Sequence, residues 1–279
     1  MSTSRSGPIW TQPAPGSRRP RFTREQIAEV AIRIADAEGF EALSMRRIAD
    51  EIGAGTMTLY HYVRTKEDLI ALMDDALMAE VLVPPEALTR DWKRSLAAVA
   101  RASFRAFMNH TWWLQALSGA PFGPNGMRHV EQTMAAIAHA PFDTQGKLDA
   151  VGIVDDYVFG FVYRRAELTQ KSEFTGASGP SPALVEFTRR ELATGQYPHF
   201  AALIGDDVVG AWTQIASQMT HERRFEIGLA ALLDGLLRTL GHRGGRAEQR
   251  GLARSDRAAQ RERLPAPHTP RGGRTRRRR

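Results

Sequence analysis

The 279-residue chain contains no cysteine. That absence excludes disulfide bonds, a thiolate nucleophile and cysteine-ligated zinc or iron–sulfur centres. Long apolar runs are also missing, since none approaches the roughly 18 residues that a membrane helix needs. The N-terminus, rich in Pro, Gly, Ser and Arg, lacks the apolar segment of a signal peptide. We therefore expect a cytoplasmic protein that does not cross a membrane.

Catalytic motifs are missing as well. The sequence has no HExxH, no Glu-x-x-His pair, no G-x-S-x-G and no phosphate-binding loop. Asp155 and Asp156 are adjacent, so on a helix they point to different sides and make a poor acid–base pair. Five histidines are scattered without metal-ligand spacing: His110, His129, His139, His199 and His221. We expect no enzyme, no cofactor and no metal site, and a helical-bundle enzyme is kept as an alternative.

Charge is unevenly distributed along the chain. Residues 1–24 carry five arginines and no acid, and residues 241–279 carry 13 arginines against three acids. The body between them holds 20 basic and 28 acidic residues. The formal net charge of +7 therefore describes the tails, and it says little about a nucleic-acid face on the body.

The body has helical periodicity, and no stretch combines alternating hydrophobicity with hairpin turns. Thr23 begins a first predicted helix that ends at Gly39, and Ser44 begins a second that ends at Gly53. A short third helix follows at about 55–63, and Thr65 begins a fourth. Further predicted helices cover 91–110, 112–119, 123–140, 144–171, 183–194, 198–205 and 221–240. The fold class expected is all-α.

Composition divides the chain into four parts. Residues 1–22 are expected to be a disordered Arg/Pro-rich arm, and residues 241–279 a disordered Arg-rich tail. Residues 23–82 form a helix-turn-helix domain with a connecting helix. Residues 83–240 form a second helical domain.

The third predicted helix has the chemistry of a DNA-reading element. Leu59 and Val63 are spaced to point inward, which leaves hydroxyl, phenol and imidazole groups on the outer face. Small hydroxyls at a helix N-terminus can reach base edges or phosphates in a major groove. Lys66, at the start of the next helix, can lie beside a phosphate.

Residues 23 to about 73 resemble the DNA-binding domain of the tetracycline-repressor (TetR) family. The resemblance rests on the Gly39 turn, "LSMRRIADEIG", "TLYHYV" and the start of the connecting helix at Lys66–Leu69. "ELATGQYPHFAALI" and "FEIGLAALLDGLL" look like the closing segments of a C-terminal domain common in that family. The basic extension after Leu240 departs from the family pattern.

The resemblance implies a homodimeric transcription regulator, most often a repressor, that places one recognition helix per subunit in the major groove of a palindromic operator. Arg46 is expected to contact a base, and its fork fits the edge of guanine. Tyr60 and Lys66 are expected on phosphates. Met57 either touches a thymine methyl or belongs partly to the core. The positions that match family contacts, or lie where backbone contacts are plausible, are Ser44, Met45, Arg46, Thr56, Met57, Thr58, Tyr60, His61 and Lys66.

The family's second domain binds a small-molecule effector that releases DNA, and this implies an apolar pocket here. The lining residues predicted are Phe107, Met108, Trp112, Trp113, Met134, Tyr157 and Phe161, and the polar candidates are Asn109, His110, His129 and Asp156. Dimerisation is expected through the helices 144–171 and 221–240, whose apolar faces are Val154, Val158, Phe161 and Val162 on one and Phe225, Leu229, Leu232, Leu233 and Leu236 on the other.

A non-specific or architectural DNA-binding protein is the other alternative. It accounts for the basic tails, which can add salt-sensitive affinity or act as solvated chain, and the arginines near residue 20 can follow the DNA backbone or enter a minor groove. It leaves the aromatic-rich second half without a role.

Overall fold

A computed structural model describes residues 8–11, 22–116, 122–170, 179–220 and 222–241. Within those ranges the chain is helical and contains no strand, as the sequence predicts. None of the helices in the described ranges combines the length and the apolar character needed to cross a membrane. The predicted disorder of the tails concerns segments that, apart from residues 8–11, 22 and 241, lie outside the described residues.

The first four helices form the helix-turn-helix and its connector: α1 (Arg24–Glu38), α2 (Met45–Ile52), α3 (Thr56–Tyr60) and α4 (Lys66–Glu80). Thr23 caps α1 in a capping box with Gln26. Ser44 and Thr65 cap α2 and α4 by accepting backbone N–H groups. Gly53, at φ +66° after α2, lies in the left-handed region that glycine adopts without steric cost. These capping signals fix the element order over this part of the chain.

The second part of the chain contributes eight further helices to the described residues. They are α5 (Trp92–Asn109), α6 (Trp113–Ala116), α7 (Pro124–Ala136), α8 (Thr144–Gln170), α9 (Pro182–Ala193), α10 (Pro198–Ile204), α11 (Val208–Thr220) and α12 (222–241). α5 packs along α8, and α7 packs on α4. The connecting helix is therefore shared between the two halves.

One hydrophobic core runs through both halves. It includes Ile48 and Leu59 from the helix-turn-helix, Phe107 from α5 and Leu229 from α12, all at most 3% exposed. A small separate cluster around Val185 joins α9, α10 and α11. The DNA-binding part therefore does not fold around an isolated core.

The structure adds two elements that the sequence patterns do not predict. α11 contains Gly210 and several residues of ordinary helix propensity, so its local signal is weak, but Trp212 packs into the α9–α11 cluster. The prediction of disorder across residues 1–22 is wrong for residues 8–11. Ile9 is 1% exposed in a short 3₁₀ helix, and Arg24 donates to its carbonyl over 3.1 Å.

The apolar faces predicted for dimerisation are mostly buried inside the protomer. Val154, Val158 and Val162 of α8 are at most 2% exposed, and Phe225 and Leu229 of α12 are 1% exposed. Periodicity identifies an apolar face but not what covers it. The prediction of a dimer face is therefore wrong for the buried residues, which belong to the core of the subunit. Phe161 and Leu232 are half-buried, and the use of α8 and α12 in a dimer stays a prediction.

Candidate DNA-binding face and ligand cavity

One side of α3 packs on the core, and the opposite side faces solvent. Leu59 and Val63 are fully buried, whereas Met57 is 75% exposed and Tyr60 is 43% exposed. The short helix therefore presents a protruding outer face without any change in its packing.

The structure places most of the predicted DNA contacts on this open surface. Exposed positions are Ser44, Arg46, Met57, Tyr60, His61 and Lys66, and half-buried positions are Met45, Thr56 and Thr58. Of the two alternatives for Met57, the structure favours the solvent-facing one, since little of the side chain is covered. Met45 packs partly against the core.

Two adjacent arginines on α2 differ in what they contact. Arg47 bonds Glu38 and Glu51, each at 2.7 Å, and the hydrogen bond from Arg47 lowers the pKa of Glu38. Arg46 is exposed and makes no hydrogen bond or ion pair with any residue that the structure describes. Arg46 is therefore the arginine of this helix whose guanidinium fork is available to a base edge.

A contact chain leads from the DNA-facing surface into the second half. The Lys66 ammonium lies 5.4 Å from the centre of the Phe40 ring. Phe40 stacks on Trp112, with ring centres 5.7 Å apart and an interplanar angle of 7°. The start of α4 thus contacts the segment that follows α5.

A polar cluster closes the same junction. Asp36 Oδ1 on α1 accepts from Trp112 Nε1 at 2.7 Å and lies 2.7 Å from His110 Nδ1. The other ring nitrogen of His110 lies 3.2 Å from Glu80 at the end of α4. The loop after α5 therefore contacts both α1 and α4 through the side chains of two residues.

α4 also forms hydrogen bonds with α6 and with the N-terminus of α7. Trp113 Nε1 donates to Asp74 at 2.8 Å, and burial raises the pKa of Asp74 while that hydrogen bond lowers it. The buried Asp75 accepts from the backbone N–H groups of Asn125 and Gly126 at 2.8 and 2.9 Å, which caps α7. These hydrogen bonds join the N-terminus of α7 directly to α4.

A cavity of about 320 Å³ lies between α4, α5, α7 and α8. This size is within the range of small-molecule sites, and the walls are mostly aromatic and aliphatic. The lining residues are Met78, Val81, Ser103, Phe107, Phe122, His129, Val130, Thr133, Met134, Val151, Asp155, Val158 and Phe159.

The predicted lining residues lie in four different places. Phe107, Met134 and the polar candidate His129 line this cavity. Trp112 and Trp113 instead form the junction with α1 and α4. Met108 packs against the core, His110 joins the junction, and Asn109 is exposed.

Tyr157, Phe161 and Asp156 line a different groove, of about 560 Å³, between α8 and α12. Tyr157 donates to the Phe225 carbonyl at 2.9 Å, over Gly228, where an added Cβ would clash with the phenol. Burial raises the pKa of Tyr157. The groove is open on the outer side of both helices.

The sequence patterns do not predict most of the cavity lining, and Asp155 is the acidic residue among the lining residues that they leave out. Its adjacency to Asp156 predicts a poor acid–base pair and carries no information about a cavity. The available signal was its position: Val151, Asp155 and Phe159 follow each other at i, i+4 and i+8, so the carboxylate interrupts an apolar stripe. Burial, with the like charge of Asp156 as a smaller cause, raises the pKa of Asp155 to about 6.

An exposed helix-turn-helix that is hydrogen-bonded to the wall of an apolar cavity defines a DNA-binding regulator with its own sensor domain. Residues 27–73 match the family model described as bacterial regulatory proteins, tetR family. Residues 84–240 match the tetracyclin repressor-like C-terminal domain. The chain belongs to the TetR family of transcriptional regulators, which are not enzymes.

Similar proteins agree with this assignment. The HTH-type transcriptional repressor DrrR1 of Streptomyces coeruleorubidus is 33% identical over 221 residues, which are 78% of each chain. An HTH-type transcriptional regulator of Saccharopolyspora erythraea is 31% identical over 86% of this chain and 96% of its own. The crystal structure of apo ActR from Streptomyces coelicolor is 26% identical, with a TM-score of 0.60 over 83% of this chain and 100% of that one.

Proposed function

We propose that this regulator represses transcription by occupying a palindromic operator as a homodimer in the cytoplasm, and that an effector in the α4–α5–α7–α8 cavity releases it. The observation that carries the proposal is that α7 both lines the cavity and holds α4. His129 and Thr133 face the cavity, and Gln132 between them bonds Val81 and Val83 just beyond α4, at 3.0 and 2.9 Å.

An effector that displaces α7 changes these bonds. Gln132 and Asp75 would move the two ends of the α4–α7 contact, and the Asp36–His110–Glu80 cluster would pass the change to α1. Since a ligand shifts an equilibrium only by its different affinity for the two states, an effector that prefers the displaced α7 must weaken operator binding.

A solved relative supports a small-molecule effector. ActR of Streptomyces coelicolor has been crystallised in complex with actinorhodin, and that chain is 26% identical to this one, with a TM-score of 0.57 over 80% of this chain. The cavity of this chain favours an aromatic ligand, because Phe107, Phe122 and Phe159 lie in its wall.

For the operator we propose Arg46 as the base-reading residue and Tyr60 and Lys66 as phosphate contacts. The support is exposure: Arg46 has no described partner, and Tyr60 projects from the open face of α3. Lys66 keeps its ammonium beside Phe40, at the edge of the same surface. The six other predicted positions lie on α2 and α3 or at their caps.

For the homodimer we propose the outer faces of α8 and α12. Ile153 and Tyr163 of α8 are 40% and 61% exposed, and Ile227 of α12 is 60% exposed. They lie on the side of these helices that faces away from the subunit core. Ile227→Arg should yield monomers by size-exclusion chromatography with light scattering, whereas Leu203→Arg, at an equally exposed position on α10, should not.

The test of repression begins with selecting bound DNA from a random library at about 150 mM salt, which damps non-specific binding. Wild-type protein should recover a palindrome. Arg46→Ala should weaken binding to this palindrome by about 10- to 100-fold and remove the base preference at one position of each half-site. Tyr60→Ala should weaken binding without changing the base preference at any position. Arg105→Ala, an exposed arginine on α5, is the control and should leave affinity unchanged.

The opposite result is well defined. Enrichment that is unchanged by both substitutions but disappears when residues 241–279 are removed would assign DNA binding to the tail. The non-specific reading would then replace the proposed operator function.

A further inference from the structure

The cavity contains one ionisable group without a partner. Among the residues that the structure describes, none donates a hydrogen bond to Asp155 and none forms an ion pair with it, and no lysine or arginine lines the cavity. Phe159, one turn along α8, shares the same wall. A carboxylate in such surroundings loses hydration without gaining a counter-charge.

His129 does not supply that counter-charge. The Gln132 amide is fixed in orientation, because its oxygen accepts from Val83 N–H at 2.9 Å and its nitrogen donates to the Val81 carbonyl at 3.0 Å. The same nitrogen lies 3.1 Å from His129 Nδ1 and donates to it. His129 is therefore the tautomer with its proton on Nε2, and burial lowers its pKa, so the ring is neutral at pH 7.

At neutral pH most Asp155 side chains are ionised, since burial raises the pKa only to about 6. The adjacent Asp156 repels it, and that residue lies in the outer groove. Among the residues that the structure describes, the charge that acts on Asp155 is that of Asp156, and it has the same sign. A cation that enters the cavity would remove this electrostatic cost.

We infer that the cavity selects an aromatic effector that carries a protonated amine, which pairs with Asp155. The inference rests on the proposed effector function of this cavity and adds the charge of the ligand to it. An uncharged molecule of the same shape would leave the carboxylate of Asp155 unpaired. An anionic molecule of that shape would bring a like charge next to it.

The experiment uses three probes that share one ring system: 9-(aminomethyl)anthracene, 9-(hydroxymethyl)anthracene and anthracene-9-carboxylate. Dissociation constants are measured by calorimetry at pH 7.5 with the full-length protein. The amine should bind most tightly and the carboxylate least. Asp155→Asn should weaken the amine by about 10- to 100-fold and change the alcohol by less than about 3-fold.

Asp156→Asn is the matched control, because it removes the neighbouring charge from the outer groove and not from the cavity. It should leave the amine within about 3-fold of wild type. Equal affinity of amine and alcohol for wild-type protein, or an equal loss for both in Asp155→Asn, would overturn the inference. Tighter binding of the carboxylate would also overturn it.

A cavity-filling variant separates this inference from the proposed function. If Met134→Trp abolishes binding of all three probes while Asp155→Asn fails to separate them, the cavity is the effector site and only the charge selectivity is wrong. If the probes bind Met134→Trp as well as wild type, or none binds wild type, the effector function falls and this inference falls with it. Val130→Trp, at the exposed rim, repeats the test if Met134→Trp does not fold.

Discussion

The helix-turn-helix carries its candidate functional groups on the outside of short capped helices, whereas the sensor domain encloses its groups between long ones. Met57 of α3 is 75% exposed, and Phe107 of the cavity wall is 3% exposed. Arg46 has no partner in the described residues and lies in solvent, whereas Asp155 has no partner and lies in a cavity. Water solvates the charge of Arg46, while burial destabilises the charged form of Asp155.

This difference decides how each half responds to substitution. An outer-face residue of α3 can be changed with little effect on folding, because few atoms pack against it. Substitution of a cavity residue changes both the stability of the fold and ligand binding, because neighbouring side chains pack against it. Experiments that separate stability from binding are therefore the sharpest tests of the comparison.

The largest effect is expected where the two halves meet, at Asp75. It belongs to α4 by sequence and caps α7 by hydrogen bonding to Asn125 and Gly126. Asp75→Ala leaves one buried and one half-buried N–H group without an acceptor, so the free energy of unfolding should fall by about 2–4 kcal/mol in urea titration. Operator affinity should also become less sensitive to the effector, because α7 then grips α4 less firmly.

Asp75→Asn is the control for Asp75→Ala. Its amide oxygen can still accept from α7, so more than half of the lost stability should return. If alanine and asparagine destabilise equally, the negative charge at the α7 N-terminus matters more than the hydrogen bonds. If neither destabilises, the two halves are not joined at this point.

The second effect is a pH dependence of the free energy of unfolding that arises in the sensor domain. The folded pKa of Asp155, about 6, lies above its ordinary value of 3.8. Between about pH 4 and 6 the native state therefore holds the proton more tightly than the unfolded state, and rising pH destabilises the protein through that window. The penalty, about 1–3 kcal/mol, is complete above pH 6.

Asp155→Asn lacks this titration. The difference in unfolding free energy between Asp155→Asn and wild type should grow in favour of the variant from pH 4 to 6 and then stay level. The buried His129 titrates in both proteins, and its effect cancels in the difference. Parallel pH profiles for the two proteins would mean that Asp155 is well hydrated.

The same comparison explains what the sequence could predict. Caps at Thr23, Ser44 and Thr65 act within one turn, so the helix-turn-helix follows from local pattern. Trp112 and Asp155 illustrate the opposite case. The aromatic pattern predicts Trp112 as pocket lining, yet its indole donates a hydrogen bond to Asp36 of α1. An acidic residue is expected at the surface, yet Asp155 lines the cavity. These positions depend on contacts between distant segments, which periodicity does not contain.

A third prediction places one substitution in each half. Ser44 caps α2 by accepting from Arg47 N–H at 3.1 Å, and Ser181 caps α9 by accepting from Leu184 N–H at 3.2 Å. Either serine to alanine should cost about 1 kcal/mol of helix stability. Ser44→Ala should in addition weaken operator binding by a few-fold, about half a kcal/mol or more, because its hydroxyl faces the proposed DNA surface.

Ser181→Ala should leave operator affinity unchanged, which is measured by fluorescence anisotropy with labelled DNA. Hydrogen exchange should show faster opening for α9 in that variant, since α9 packs in the small cluster around Val185 and not in the main core. Equal losses of DNA affinity in both variants would show that stability, and not position, governs binding.

The smallest effect is expected at the surface pair between α5 and α12. Arg101 makes two short hydrogen bonds to Glu226, of 2.8 and 2.7 Å, but the two side chains are 41% and 46% exposed. Solvent and salt screen such a pair, so a double-mutant cycle with Arg101→Met and Glu226→Gln should give a coupling of about 0.2–1 kcal/mol that shrinks in high salt. A larger, salt-insensitive coupling would mean that this pair is buried in the assembled protein. Because Glu226 is on α12 next to the exposed Ile227, that outcome would place Arg101 and Glu226 within the proposed dimer interface, where a partner subunit excludes water.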